Sequence, residues 1–331
     1  MGDRADTCNQ VPSLYYNAIG PYLKALFGCR VMKLSIDGGF TCPNRDGTVG
    51  TGGCIFCSEA GSGDFAGKAE ESISSQLRMQ IDLLKNKWPD GKYIAYFQKY
   101  TNTYGDIAAL KAKFEEALAF PGVVGLAIAT RPDCIDPDVA QLLSDLNKRT
   151  FLWVELGLQT IHPGTAAAIN RCYPLSAYDS ASALLAAHSI RTVVHLILGL
   201  PGETAQDMLD SAKYVASRNI FGIKLHLLHV LKNTPLGDQY EKSAQTPGAA
   251  VFRTLERNEY ISIVADILEL LPSDVTIHRL TGDGPRDLLL APLWSADKRS
   301  VLNGIVRELK NRNSRQGGKS GLQSSESLPS L

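Results

Sequence analysis

No sign of charge dominates this chain. Its 331 residues carry 34 Lys plus Arg against 34 Asp plus Glu, so no global field draws it onto nucleic acid or a membrane surface, and only a local basic patch could. Long apolar runs are missing too. The stretch from Val193 to Leu200 is one of the longest and falls far short of the roughly 20 residues a membrane helix needs. The N-terminus, Met1-Gly-Asp-Arg-Ala-Asp, lacks an apolar signal-peptide core, and the chain is expected in the cytoplasm. Disulfides are rare there, so the seven cysteines point instead to metal or redox chemistry. No internal repeat of fixed period is visible. With 44% hydrophobic and 21% charged residues, the chain can build a substantial core, either as one large α/β domain or as two ordinary ones.

Three of the cysteines are concentrated. Cys42, Cys54 and Cys57 share one loop of about thirty residues, with nine glycines between Gly38 and Gly67. Structureless loops of that length are functional or disordered. Glycines let backbone wrap closely around a bulky inorganic group and turn amides toward it. A fourth cysteine is absent from the loop. Iron–sulfur clusters usually take four; a [4Fe–4S] cube held by three keeps one iron open for a substrate or cofactor. The other reading is a zinc site with Cys29 or a histidine as fourth ligand. Zinc favours paired CxxC knuckles, and only one such pair is present. Cys8, Cys29, Cys134 and Cys172 are scattered and read as small buried hydrophobes; they form no second three-cysteine set.

Strand-like and helix-like segments alternate along the chain. Strands are expected over Val31–Ile36, Tyr93–Phe97, Val123–Ala129, Phe151–Leu158, Thr192–Leu198 and Ile223–Val230. Between them, helical spacing runs through Ile73, Leu77, Ile81 and Leu84 and from Ile107 to Leu118. Asp136-Pro137 is an N-cap and N1 pair, and Thr204 with Asp207 is a capping box with a shortened acid. Six β–α units in series imply a parallel sheet with right-handed crossovers. The expected fold is α/β, a partial (β/α)6 TIM-like barrel or a closed relative, with a doubly wound open sheet as the alternative. The expected division is a flexible N-terminus over 1–14, the barrel with its cysteine loop over 15–245, a mostly helical C-terminal extension over 246–312, and a disordered tail over 313–331. Within the extension a helix is expected from Val251 to Leu271, a short strand over Val275–His278 and a helix from about Ala296 to Asn311. In such barrels catalytic groups sit on the loops after the strands, which is where the cysteine loop falls.

Cys42-x11-Cys54-x2-Cys57, with Phe56 before the last cysteine, resembles a radical S-adenosylmethionine (SAM) cluster loop. The usual spacing puts only three residues between the first two cysteines. The wider spacing resembles the branch containing the Elongator catalytic subunit and the YhcC/YtqA-type proteins. Four further segments are similar to that branch: Phe97-Gln98-Lys99-Tyr100-Thr101-Asn102-Thr103-Tyr104-Gly105, Trp153 to Thr160, His195 to Glu203, and His278 to Trp294. The resemblance covers about Tyr15 to Asn311. It implies that Cys42, Cys54 and Cys57 hold a [4Fe–4S] cluster whose open iron binds the amino and carboxylate groups of S-adenosylmethionine, for cleavage to a 5′-deoxyadenosyl radical. Phe56 would lie near the adenine, with simple loop packing as its other reading. Gln98 and Thr101 stand where the class grips the methionine amino group, although the usual Gly-Gly-Glu is absent; a helix cap near Asp106 is the alternative. Glu155 and Gln159 would reach ribose hydroxyls, yet a buried Arg or Lys would satisfy Glu155 equally well. Gly199, in Gly199-Leu-Pro-Gly202, resembles the backbone turn beside the adenine.

His195 and His229 are the candidates on the substrate side. His226 and His229, three apart, should face opposite sides of one strand, so at most one faces the barrel interior. Those members of the related branch with an assigned substrate act on tRNA wobble uridines, and YtqA-type proteins resemble enzymes that remodel a carboxymethylaminomethyl group at uridine C5 to aminomethyl. The resemblance therefore implies tRNA as substrate and an electron donor such as flavodoxin or ferredoxin. The cations available for RNA are Lys99, Arg131, Arg171, Arg279, Arg286, Lys298, Arg299 and Arg307. Only about 85 residues follow Thr246, too few for an acetyltransferase domain. The same cofactor chemistry on a small metabolite or a protein, and a non-catalytic zinc or cluster protein, are the other functions the sequence admits.

Overall fold

The structure, a computed structural model, describes residues 15–58, 66–245, 252–282 and 284–320. The strands are β1 (Val31–Ile36), β2 (Lys92–Phe97), β3 (Val123–Thr130), β4 (Phe151–Gln159), β5 (Arg191–Leu198), β6 (Gly222–Leu227), β7 (Val230–Leu231), β8 (Thr276–Arg279) and β9 (Leu289–Ala291). The helices are α1 (Ile19–Phe27), α2 (Ile73–Lys85), α3 (Ile107–Ala119), α4 (Pro137–Asn147), α5 (Pro163–Ala168), α6 (Leu175–Ala187), α7 (Ala205–Ala216), α8 (Pro235–Gln245), α9 (Arg257–Leu270) and α10 (Lys298–Asn311). Seven strands form one parallel sheet in the order β1-β2-β3-β4-β5-β6-β8, while β7 and β9 make a small antiparallel ribbon. The α/β partial barrel expected from the sequence is the fold, with one more strand than the six β–α units supply. The short strand of the C-terminal extension is that seventh strand, paired parallel to β6.

Alternation along the strands separates two faces. On β1, Leu34 and Ile36 are fully buried in the layer beneath α2 and α3, whereas Lys33 turns inward and sets its ammonium over the Tyr96 ring. The outer layer between sheet and helices holds most of the core, including Phe97 and Phe114 edge to face at 4.9 Å. Inside the barrel a smaller apolar cluster of Ile94, Phe151, Trp153 and Val193 is closed by Leu23, Tyr22 and Phe27 of α1. That helix went unpredicted because Gly20 and Pro21 obscure its start.

The caps behave as their residue types require. Asp136 accepts from the Val139 amide at 2.8 Å, and Thr204 and Asp207 close a reciprocal capping box. Three boundaries differ from expectation. The helix expected from Val251 begins at Arg257, where Glu256 and Glu259 form its capping box; Val251 itself lies outside the described residues. The sixth strand ends at Leu227 rather than Val230. Residues 313–320, expected to be disordered, are packed: the amide of Gln316 donates to Tyr15, its side chain accepts from the Asn17 amide and donates to the carbonyls of Pro272 and Val275, and Lys319 pairs with Glu269 at 2.6 Å. Composition alone hid that clip. The expectations for 1–14 and 321–331 lie outside the described residues. No helix among the described residues is long and apolar enough to cross a membrane.

Candidate active site

The loop after β1 folds back on itself around two asparagines. Asn44, fully buried, donates to the Asn170 carbonyl at 2.6 Å, and Asn170 donates in return to the Gly53 carbonyl at 2.7 Å. The Ile55 amide bonds to the Ile169 carbonyl at 3.1 Å. The segment after α5 thus clamps the cysteine loop. Gly50 must be glycine here, because a Cβ would stand 2.2 Å from Asn44 Oδ1. Arg45 reaches across the loop and donates to the Ser58 carbonyl at 2.6 Å. The result is that Cys42, Cys54 and Cys57 all line one chamber of about 260 Å³ at the C-terminal mouth of the barrel.

The thiols are electrostatically linked. Cys54 and Cys57 are in side-chain contact, and their hydrogen bond pulls Cys57 down while it and burial push Cys54 up. Such a pair loses its first proton as a unit, and nearby Arg45 and Arg131 favour thiolate. Among the described residues no three Cys, His, Asp or Glu side chains converge as ligands of a single ion would. Three cysteines lining one chamber without a fourth donor at a single point suit a polynuclear cluster better than a lone zinc, which would gather four donors around one ion.

Below the cysteines the chamber becomes polar, with charged groups that are largely buried. Glu155 of β4 is fully buried. Its Oε1 accepts from Trp153 Nε1 at 2.9 Å, and its Oε2 accepts from His195 Nε2 at 2.9 Å and from Lys224 Nζ. The lysine also donates to the Tyr96 hydroxyl at 2.9 Å. Burial would push the Glu155 carboxyl up, but Lys224, the His195 hydrogen bond and Lys33 outweigh it and hold it well below the usual carboxylate range. Burial drives Lys224 well below an ordinary lysine, helped by Lys33 and Arg279 and opposed by Glu155. His195 is pushed down to about 4, by burial first and then by Lys224. It is a neutral imidazole whose Nε2–H points at Glu155, a tautomer fixed by its acceptor.

Of the residues expected at the site, Phe56, Gln98, Thr101, Glu155, Gln159, His195 and His229 line this chamber with the three cysteines. Thr101 is held there by its amide bond to the Thr41 carbonyl at 3.2 Å. The cap for α3 is Asp106 itself; Asn102 instead ties the end of β2 to β3 by donating to the carbonyls of Phe97 and Ala129. For Glu155, the alternative partner is present as Lys224. Phe56 also packs beside Ile169, Ile197 and Leu200. Gly199 is not among the chamber-lining residues: its φ of +86° turns the chain away and its amide is directed at Met208 Sδ, 3.2 Å off. His226 and His229 both line the chamber, contrary to the alternation argument, because β6 stops between them and alternation no longer applies. Of the cations expected to be available for RNA, Lys99 is paired with Asp37 at 2.8 Å and Arg131 grips Asp133 with two bonds. Arg171, 1% exposed, donates to the carbonyls of Leu158 and Thr160. These last two are wall struts. Arg286, Arg299 and Arg307 remain exposed. Sequence reasoning missed Tyr96, Lys224 and His226 as chamber residues; the available signal was the polar residue at every second place in Lys224-Leu-His226, on an otherwise apolar strand.

A seven-stranded parallel half-barrel with three cysteines on its first loop defines a class. The model of the radical SAM superfamily matches residues 45–215, and that of the Radical_SAM C-terminal domain matches residues 220–311. The chain belongs to the radical SAM superfamily and is an enzyme of it; this superfamily uses a [4Fe–4S] cluster and S-adenosylmethionine. It is 49% identical over 302 residues to YtqA of Bacillus subtilis, covering 91% of this chain and 92% of that protein. It is 28% identical over 192 residues to the tRNA uridine(34) acetyltransferase of Dehalococcoides mccartyi, covering 57% of this chain and 39% of that protein. In fold it is similar to Elp3 of Methanocaldococcus infernus, with a TM-score of 0.64 and 16% identity over 86% of this chain and 64% of that one.

Proposed function

We propose that the chamber carries out radical chemistry on a tRNA wobble uridine, converting a carboxymethylaminomethyl group at C5 to aminomethyl; the carboxymethyl carbons would leave as glyoxylate, the C–N bond being hydrolysed by water after loss of one hydrogen atom to the 5′-deoxyadenosyl radical and return of one electron to the cluster. Cys42, Cys54 and Cys57 would hold the cluster. Phe56, Gln98, Thr101 and Gln159, which line the chamber, would receive S-adenosylmethionine. When bound, the two groups supply a 5′-deoxyadenosyl radical, hard chemistry that belongs to the cofactor. The chain's own residues would orient it: Tyr96, Glu155, His195 and Lys224 form a hydrogen-bonded floor. An electron donor of the flavodoxin or ferredoxin kind would dock outside.

The observation that carries this reading is the convergence of three cysteines from one loop over a buried polar floor. The tRNA part is supported by the named activity of the Dehalococcoides relative. A chamber of about 260 Å³ cannot admit a duplex, so the uridine would enter splayed from a single-stranded loop, and Arg286, Arg299 and Arg307 would meet phosphates. Nucleoside mass spectrometry of tRNA from a deletion strain tests it. Accumulation of the carboxymethylaminomethyl nucleoside is expected; an unchanged wobble-uridine profile, in an organism that makes the modification, overturns the tRNA assignment.

A further inference from the structure

Cations outnumber acids on the inner wall of the barrel. Lys33 on β1 and Lys224 on β6 both act electrostatically on Glu155, and Arg279 on β8 acts on both lysines. Glu155 is spoken for: Lys224, His195 and Trp153 fill its oxygens. Neither Lys33 nor Arg279 makes a salt bridge among the described residues, and Lys33 rests only over the Tyr96 ring at 5.2 Å. Beside them, His226 Nε2 is buried and has no hydrogen-bond partner, its ring 5.0 Å from that of His195. Arg279 and His226 line the chamber. Cations and buried polar atoms inside a protein are normally paired; a half-buried Arg279 and a buried His226 nitrogen without partners, both facing a cavity, mark a place where a ligand completes the set.

We propose that Arg279 and His226, backed by Lys33 and Lys224, form an acid subsite that receives a carboxylate of the substrate. The inference rests on the reading of this chamber as the substrate site. A planar monoanion suits it. A guanidinium binds a carboxylate through two parallel hydrogen bonds, and a neutral imidazole N–H adds a third. A phosphate dianion suits it less, because the ionised Glu155 stands on the same wall. The subsite would choose acid over neutral versions of the substrate side chain, and it would place the reacting carbon by its far end.

The test uses reconstituted holoenzyme with two probes, 5-carboxymethylaminomethyluridine and its methyl ester, measured by calorimetry in wild type, Arg279→Gln and Arg279→Lys. Wild type should bind the acid about ten- to a hundredfold tighter than the ester, the worth of a charge-assisted bond. In Arg279→Gln that gap should close while the ester and S-adenosylmethionine bind as before, and Arg279→Lys should restore part of it. Acid binding no tighter than ester binding in wild type, including no binding of either, overturns the subsite. So does Arg279→Gln weakening S-adenosylmethionine itself, which would give the arginine to the cofactor's own carboxylate. Turnover of tRNA bearing the acid nucleoside is measured in parallel. Turnover without an acid–ester gap removes the subsite and leaves the tRNA reading; a gap without turnover does the reverse.

Discussion

His195 Nε2 and Glu155 Oε2 lie 2.9 Å apart on neighbouring strands, inside the barrel and beneath the cysteine loop. Lys224 reaches the same oxygen from β6. One carboxylate therefore ties three adjacent strands together on the concave face. A buried pair of this kind is weak support for stability against a well-packed apolar replacement, but removing one partner is costly. Glu155→Gln leaves Lys224 without a counter-charge and should cost about 3–5 kcal/mol in urea unfolding. Adding Lys224→Met to that variant should recover part of the loss. A Glu155→Gln protein as stable as wild type would mean that the lysine is already neutral.

Acid should destabilise the fold earlier than carboxylate titration alone would. His195 has a pKa of about 4 in the folded protein against an ordinary 6.5. Between those values the unfolded chain binds a proton that the folded chain refuses, so stability rises with pH across the window. The contribution is whole above about pH 6.5 and lost as pH falls through 4, and is worth roughly 3 kcal/mol for this one group. His226 and His278 are pushed in the same direction by burial. Thermal melts from pH 7.5 down to pH 4.5 check this. A melting temperature flat across that range rules it out, and His195→Asn should flatten the slope.

The strand series was legible because the outer faces carry apolar residues at every second place and some helices announce their caps, as α4 does with Asp136 and α7 with Thr204. The cysteine loop was legible because three thiols at fixed spacing have few other uses. The chamber floor was not. Lys224 and Tyr96 sit in strands that read as apolar, and nothing local says that their side chains meet across the barrel, 128 residues apart in the chain. The same holds for the packing of Gln316 against Tyr15 and Asn17: a polar, glycine-rich segment lacks a periodic signal, yet its hydrogen bonds are satisfied by distant backbone. His226 and His229 show a different limit. The period-two rule was sound, but the strand ended one residue after the first of them.

Cysteine replacements should separate the cluster set from the bystanders. Cys42→Ser, Cys54→Ser and Cys57→Ser, each reconstituted anaerobically, should lose visible cluster absorption and cleave no S-adenosylmethionine. Cys134→Ser and Cys172→Ser should retain both, although their sulfurs lie near the site and Cys134 is pushed up to about 12 by burial. Iron and sulfide content per chain is the readout. Full iron loading in a Cys54→Ser protein, or its loss in Cys134→Ser, would require a different ligand set.

The clamp between Asn44 and Asn170 should govern how well the loop holds its cluster without touching it. Asn170 takes a left-handed φ of +54° and spends its side-chain amide on the Gly53 carbonyl, one residue before Cys54. Its own carbonyl accepts from Asn44, two residues after Cys42. The clamp thus fixes the two arms of the cysteine loop relative to each other. Partners that orient ligands in this way are typically worth ten- to a hundredfold in metal affinity. Asn170→Gly keeps the backbone conformation and removes the side-chain bond, whereas Asn170→Ala also strains the left-handed position. Asn170→Gly should therefore release iron to a chelator roughly tenfold faster than wild type, with Asn170→Ala faster still. Unfolding of the iron-free protein should change little in Asn170→Gly, by about 1 kcal/mol for one hydrogen bond. Iron release at the wild-type rate in both variants would show that the loop is held by the cysteines alone.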